Sequence, residues 1–160
     1  MITKADVLMG RAQLFPNDYT DEISANVDNL VSVINDTLSQ FPGDLTVLSG
    51  WRPPSINDKT SNAAAHSKHL VGLAVDLADA DGKLWTWILD RLGLMQEKGV
   101  YMEDKRWTSE DNNGGWVHCQ IVPPGSGHRI FIPSSAPPVS VKWFDGVYNH
   151  AFDGAPSVSA

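Results

Sequence analysis

The sequence predicts an α+β fold: a small, mostly antiparallel sheet with flanking helices. Three observations lead there. Residues 20–41 repeat apolar side chains at helical spacing, and five short runs read as strands. The last three of those runs, beyond residue 99, follow one another with no helix between them, so the crossover helices of a parallel sheet are missing. With 160 residues, 42% hydrophobic and 19% charged, the chain has ordinary globular composition, and as one domain it should bury roughly 70% of its unfolded surface.

The elements follow in order. Ile23, Val27, Leu30, Val31, Ile34, Leu38 and Phe41 form a one-sided stripe over 20–41, with Thr20 or Asp18 as N-cap and Pro42-Gly43 as the stop. LTVLSGW (45–51) and GLAVDLA (72–78) read as strands. A second helix is predicted over 83–98, with Leu84, Ile88, Leu92 and Met95 on one face and Gly99 as its C-terminal cap. Strands 100–103, 116–122 and 129–132 complete the sheet. From Pro133 the composition turns to Pro and Ser, so the chain divides into a domain, 1–132, and a C-terminal arm, 133–160. The arm's aromatics, WFDGVYNHAF, either pack onto the domain or meet a partner.

Charge and cysteine content exclude several functions. Twelve Lys and Arg against 19 Asp and Glu give a net charge of −7, which opposes nucleic-acid binding and attachment to anionic lipid. No run approaches the ~20 apolar residues of a membrane span, and the first residues lack the apolar core of a secretory signal. The expectation is a monomer without nucleic-acid or membrane partners. Cys119 is the only cysteine, so an internal disulfide and a Cys-rich zinc site are both excluded. Any transition metal must be held by His and carboxylates.

The chemistry concentrates in Ser67-Lys68-His69-Leu70-Val71-Gly72-Leu73-Ala74-Val75-Asp76. On a strand over 72–78, Leu73, Val75 and Leu77 face the core, while Asp76 shares the other face with Gly72, Ala74 and Ala78. A carboxylate on a face cleared of bulk leaves room for a ligand, and His69 can fold back over it. In the strand Trp116-Val117-His118-Cys119-Gln120, residues 116, 118 and 120 share one face, so His118 and Cys119 point apart and cannot form a Cys-His dyad. Cys119 reads as a small buried residue. His69, Asp76 and His118 make a plausible zinc triad of the open, catalytic kind, in which the metal acidifies water toward a pKa of about 7. The segment Asp76 to Gly82 resembles a calcium loop, but Leu77 and Ile88 fall where carboxylates are required.

The pattern Ser-x-His-x-x-Gly-x-Ala-x-Asp, followed some forty residues later by Trp-x-His, resembles the zinc D-alanyl-D-alanine carboxypeptidase and endopeptidase family of bacterial peptidoglycan peptidases and phage endolysins. The resemblance covers about residues 45–122, and its first motif fixes five residues in ten. It implies a hedgehog/DD-peptidase-like fold, Zn2+ on His69, Asp76 and His118, and cleavage of a peptide bond in peptidoglycan stem peptides. Ser49-Gly50-Trp51-Arg52 is similar to the family's Ser-Gly-Tyr-Arg, which implies that Arg52 contacts substrate and developing negative charge. Ser67 can cap a turn or support His69, and Trp51 and Trp116 are either core or substrate contacts beside the site. One departure stands out: the family often places its catalytic acid three residues before the last zinc His, and here that position is Gly115. Glu103, at the end of strand 99–103, is the preferred base, with Asp104, Glu110 and Asp111 as alternatives. The resemblance further implies a phage or prophage product acting on the cell wall, either from the host cytoplasm or from the virion. The competing reading is a virion structural or wall-binding module that keeps the fold without catalysis.

Overall fold

The structure, a computed structural model, describes residues 1–61, 63–105, 108, 115–125 and 127–131. The arm 133–160, Ile132, Glu110 and Asp111 lie outside the described residues. Two short helices that the periodicity does not announce open the chain: α1 (Lys4–Leu8) and α2 (Arg11–Leu14). Their making is local and tertiary. Thr3 and Asp6 form a capping box at α1, and Asn35 clamps Ile2 by accepting its N–H and donating to its carbonyl, both at 2.8 Å.

The long helix α3 spans Asp21–Thr37, with the Thr20 hydroxyl accepting the Ile23 N–H as N-cap. It buries Val27, Leu30 and Ile34 and stops short of the expected Phe41. Hydroxyls end it early: Thr37 Oγ1 donates to the Val33 carbonyl and Ser39 Oγ to that of Asp36, competing with the helical ladder. Beyond β1 (Val47–Ser49) come α4 (Pro54–Asn57), a 3₁₀ turn (Lys68–Val71) and β2 (Ala74–Ala78). The strand expected over 72–78 starts late because Gly72, at φ +73°, closes the 3₁₀ turn; a Cβ there would lie 2.8 Å from Val27 Cγ2.

The helix expected over 83–98 is two helices, α5 (Lys83–Leu89) and α6 (Leu92–Lys98). Asp90 and Arg91 break it, the latter at φ −131°, where its guanidinium sits 4.5 Å over the Trp87 ring. Leu84, Ile88, Leu92 and Met95 are all buried, so the apolar face survives the break. Gly99, at φ +70°, caps α6 as expected.

β3 (Tyr101–Glu103), β4 (Trp116–Gln120) and β5 (Ile130–Phe131) finish an open five-stranded sheet of order β1-β2-β4-β3-β5. All its pairs are antiparallel except β3–β5. The α+β class with a mostly antiparallel sheet therefore holds. One face, carrying Val75, Leu77, Val117, Cys119, Met102 and Ile130, joins α3, α5 and α6 in a single core. Among the described residues no helix is long and apolar enough to cross a membrane.

Candidate metal centre

The face of β2 and β4 turned away from that core carries the site. Register places Asp76 directly opposite His118, so alternation on two neighbouring strands brings the pair together. His69 arrives from the 3₁₀ turn, whose N-cap Ser67 accepts the His69 N–H at 3.4 Å. Asp76 Oδ1 lies 2.8 Å from His118 Nδ1 and 3.2 Å from His69 Nε2, and the two ring nitrogens are 3.3 Å apart. One ligand atom from each of the three residues falls within 4.8 Å of the others, in a group able to hold a metal ion.

Partners behind the rings fix which nitrogen faces inward. His69 Nδ1 is 2.7 Å from the Gly50 carbonyl, which only accepts, so Nδ1 carries the proton and Nε2 presents its lone pair to the cluster. Gly50 stands there without a side chain because a Cβ would run into the Val7 carbonyl. His118 Nε2 lies 3.3 Å from Gln120 Oε1, and Gln120 Nε2 donates to the Val122 carbonyl at 2.7 Å. That bond turns the Gln120 oxygen toward the imidazole, so Nε2 donates and Nδ1 faces Asp76. Three lone-pair atoms thus converge where neither ring has a proton to offer. Such a set is stable only with a cation or an extra proton between its members.

Electrostatics agree. Burial opposes ionisation of Asp76, but His69 and His118 hold its carboxyl well below the usual carboxylate range. Burial alone would push His118 down, yet the Glu103 and Asp76 carboxylates raise it to about 9. Cys119 lies on the core face and its thiol is pushed up to about 12 by burial and then by Asp76, as suits an inert packing residue.

The other expected residues divide. β3 pairs with β4 through Tyr101↔Gln120 and Met102↔Cys119, and one more step of that register sets half-buried Glu103 beside His118. Asp76, His118 and Glu103 therefore form a row across three strands. Arg52 is 8% exposed; its backbone N–H donates to the His69 carbonyl and its Nη2 to Ser67 Oγ, both at 3.0 Å. Burial lowers its pKa against the pull of Asp76 and Glu103, and its Nε is buried with no hydrogen-bond partner among the described residues. Trp51 is 0% exposed, packed at a tilt against Tyr19 and donating to the Leu70 carbonyl, so it lies in the core beneath Gly50 and Arg52 and offers no face to a substrate. Trp116 is half-buried at the start of β4. Asp104 is buried. Sequence reasoning placed Gln120 on the His118 face without seeing its role, and missed Phe131, whose ring meets His118 edge-on at 6.1 Å.

The fold and site define an α+β protein with a buried His-Asp-His group able to hold a metal ion. No family model, curated protein or solved structure matches the chain.

Proposed function

We propose that the chain is a zinc-dependent peptidase that hydrolyses a peptide bond in peptidoglycan stem peptides, as a carboxypeptidase or an endopeptidase. The observation that carries the reading is the convergence of His69 Nε2, Asp76 Oδ1 and His118 Nδ1, with Glu103 next in the row. His69, Asp76 and His118 would hold the ion. A zinc ion, when bound, supplies Lewis acidity, lowering the pKa of water by several units and polarising an amide carbonyl. Glu103 accepts a proton from the attacking water and returns it to the leaving amine. Arg52, whose buried Nε has no partner among the described residues, orients the substrate carboxylate or carbonyl and steadies developing charge. Gln120 and Gly50 hold the two rings in the tautomers that chelation requires. The peptidoglycan substrate, and action on the wall as a phage-type monomer, rest on the Ser-x-His-x-x-Gly-x-Ala-x-Asp and Trp-x-His motifs.

Gly115 favours a second reading, a wall-binding or virion module without turnover, because the position of the family's acid is empty of a side chain. The variant Glu103→Gln separates the two. In a peptidase using this base it keeps close to one zinc per chain while release of muropeptide product falls by about 10²–10⁴-fold. Wild-type protein that holds zinc and releases nothing supports the binding module instead.

A further inference from the structure

The ladder between β3 and β4 ends at Met102↔Cys119, one residue before Glu103. Two residues beyond Glu103, Lys105 turns back across the strand ends. Its Nζ lies 2.8 Å from Asp79 Oδ2, 3.3 Å from the Trp116 carbonyl and 3.4 Å from the Asp79 carbonyl. The Asp79 carboxylate, 1% exposed, is fixed from its other side: Oδ1 accepts the Leu84 N–H at 2.9 Å and Oδ2 that of Trp85 at 3.1 Å. The Asp79 N–H in turn donates to the Gly115 carbonyl at 2.8 Å. One ammonium therefore ties the end of β2, the start of β4 and the first turn of α5 to the chain just past Glu103. A Cβ built on Gly115 would lie 2.7 Å from Lys105 Nζ and 3.2 Å from its Cε. The space a side chain at 115 would need belongs to the lysine.

We infer that Lys105 is a positioning residue that holds Glu103 in register with His118, and that Gly115 is side-chain-free to admit it. This rests on the reading of Glu103 as the base. A strand end paired on one side alone opens more readily than one held between two neighbours. On its other side Glu103 pairs with Phe131 of the two-residue strand β5, and the Asp104 N–H donates to the Phe131 carbonyl at 2.8 Å. A buried ion pair of the Lys105–Asp79 kind adds little net stability, but it fixes geometry, and geometry decides whether a base reaches its proton. The departure at Gly115 and the unusual source of the base become one feature: with Lys105 filling the place of an acid at 115, the carboxylate comes from β3.

The test uses the zinc-loaded full chain with Lys105→Met and Gly115→Ala, the second keeping both charges while displacing the ammonium. Each is made alone and combined with Glu103→Gln. Both single variants are expected to retain zinc and KM while kcat on muropeptides falls about 10- to 100-fold, and to add no further loss in the Glu103→Gln background. Hydrogen exchange at the Asp104 amide should accelerate about tenfold while the core amides of α3 keep their rates. Unchanged kcat in both variants, losses that multiply with Glu103→Gln, or unchanged Asp104 exchange would overturn the inference. Wild type that cleaves nothing overturns the peptidase reading instead, and Asp104 exchange then decides by itself whether Lys105 holds the strand end.

Discussion

A proton and a metal compete for one place at His118. Between Asp76 and Glu103 its imidazole is raised to about 9, so at neutral pH the metal-free site holds a proton on Nδ1 that a cation must displace. Metal affinity should therefore climb about tenfold per pH unit toward pH 9, measurable by competition with a chromophoric chelator. A flat profile from pH 6 to about 9 contradicts this. The same shift governs stability of the metal-free protein. Because His118 titrates higher folded than unfolded, its contribution is full below about 6.5 and is lost as pH rises through about 9. Asp76 has the opposite sign: its depressed carboxyl contributes above the unfolded value of 3.8 and loses that contribution as pH falls below it. Thermal melts of metal-free protein should show a falling midpoint on both sides of that plateau. Gln120→Leu removes the acceptor behind His118 and should weaken metal binding about 10- to 100-fold. These three residues were legible because strand alternation alone put Asp76 on one cleared face and His118 with Gln120 on another. The tautomers were not, since they depend on the Gly50 and Val122 carbonyls, which no spacing reveals.

At the scale of elements, the 3₁₀ turn is the piece that delivers His69, and Gly72 ends it. Gly72→Ala forces a side chain to φ +73° and against Val27 Cγ2, which should cost about 2 kcal/mol or more of stability in urea titration. It should also weaken metal binding, because the strain falls on the C-cap of the turn that carries His69. A variant as stable as wild type would show that the turn adapts freely. The periodic elements were readable: Thr20 capping α3 and Gly99 closing α6 are local signals. Helices of four or five residues were not, because α1, α2 and α4 are too short to show a full apolar stripe, and only α1 has a capping box to mark its start. The break at Asp90 and Arg91 was hidden for a related reason: both halves keep their apolar positions in phase with one core.

For the whole molecule, the order of strands beyond residue 99 gave the antiparallel character, whereas the sheet order β1-β2-β4-β3-β5 depends on long-range pairing that local pattern does not encode. That order matters to function, since inserting β4 between β2 and β3 is what aligns Asp76, His118 and Glu103 in one row. On the peptidase reading, a net charge of −7 gives no attraction to anionic wall polymers, so substrate recognition would rest on side chains beside this row such as Arg52 and Trp116. Zinc that binds only the folded chain should raise stability by about 2.7 kcal/mol at a hundredfold excess over its Kd, and chelation should remove that gain. The central claim is tested most directly by mass spectrometry of muropeptides incubated with zinc-loaded protein beside metal-free protein and Glu103→Gln. The zinc-loaded wild type should cut a single class of stem-peptide bond, and neither control should match it. Intact muropeptides in all three, with zinc demonstrably bound to the wild type, would contradict it.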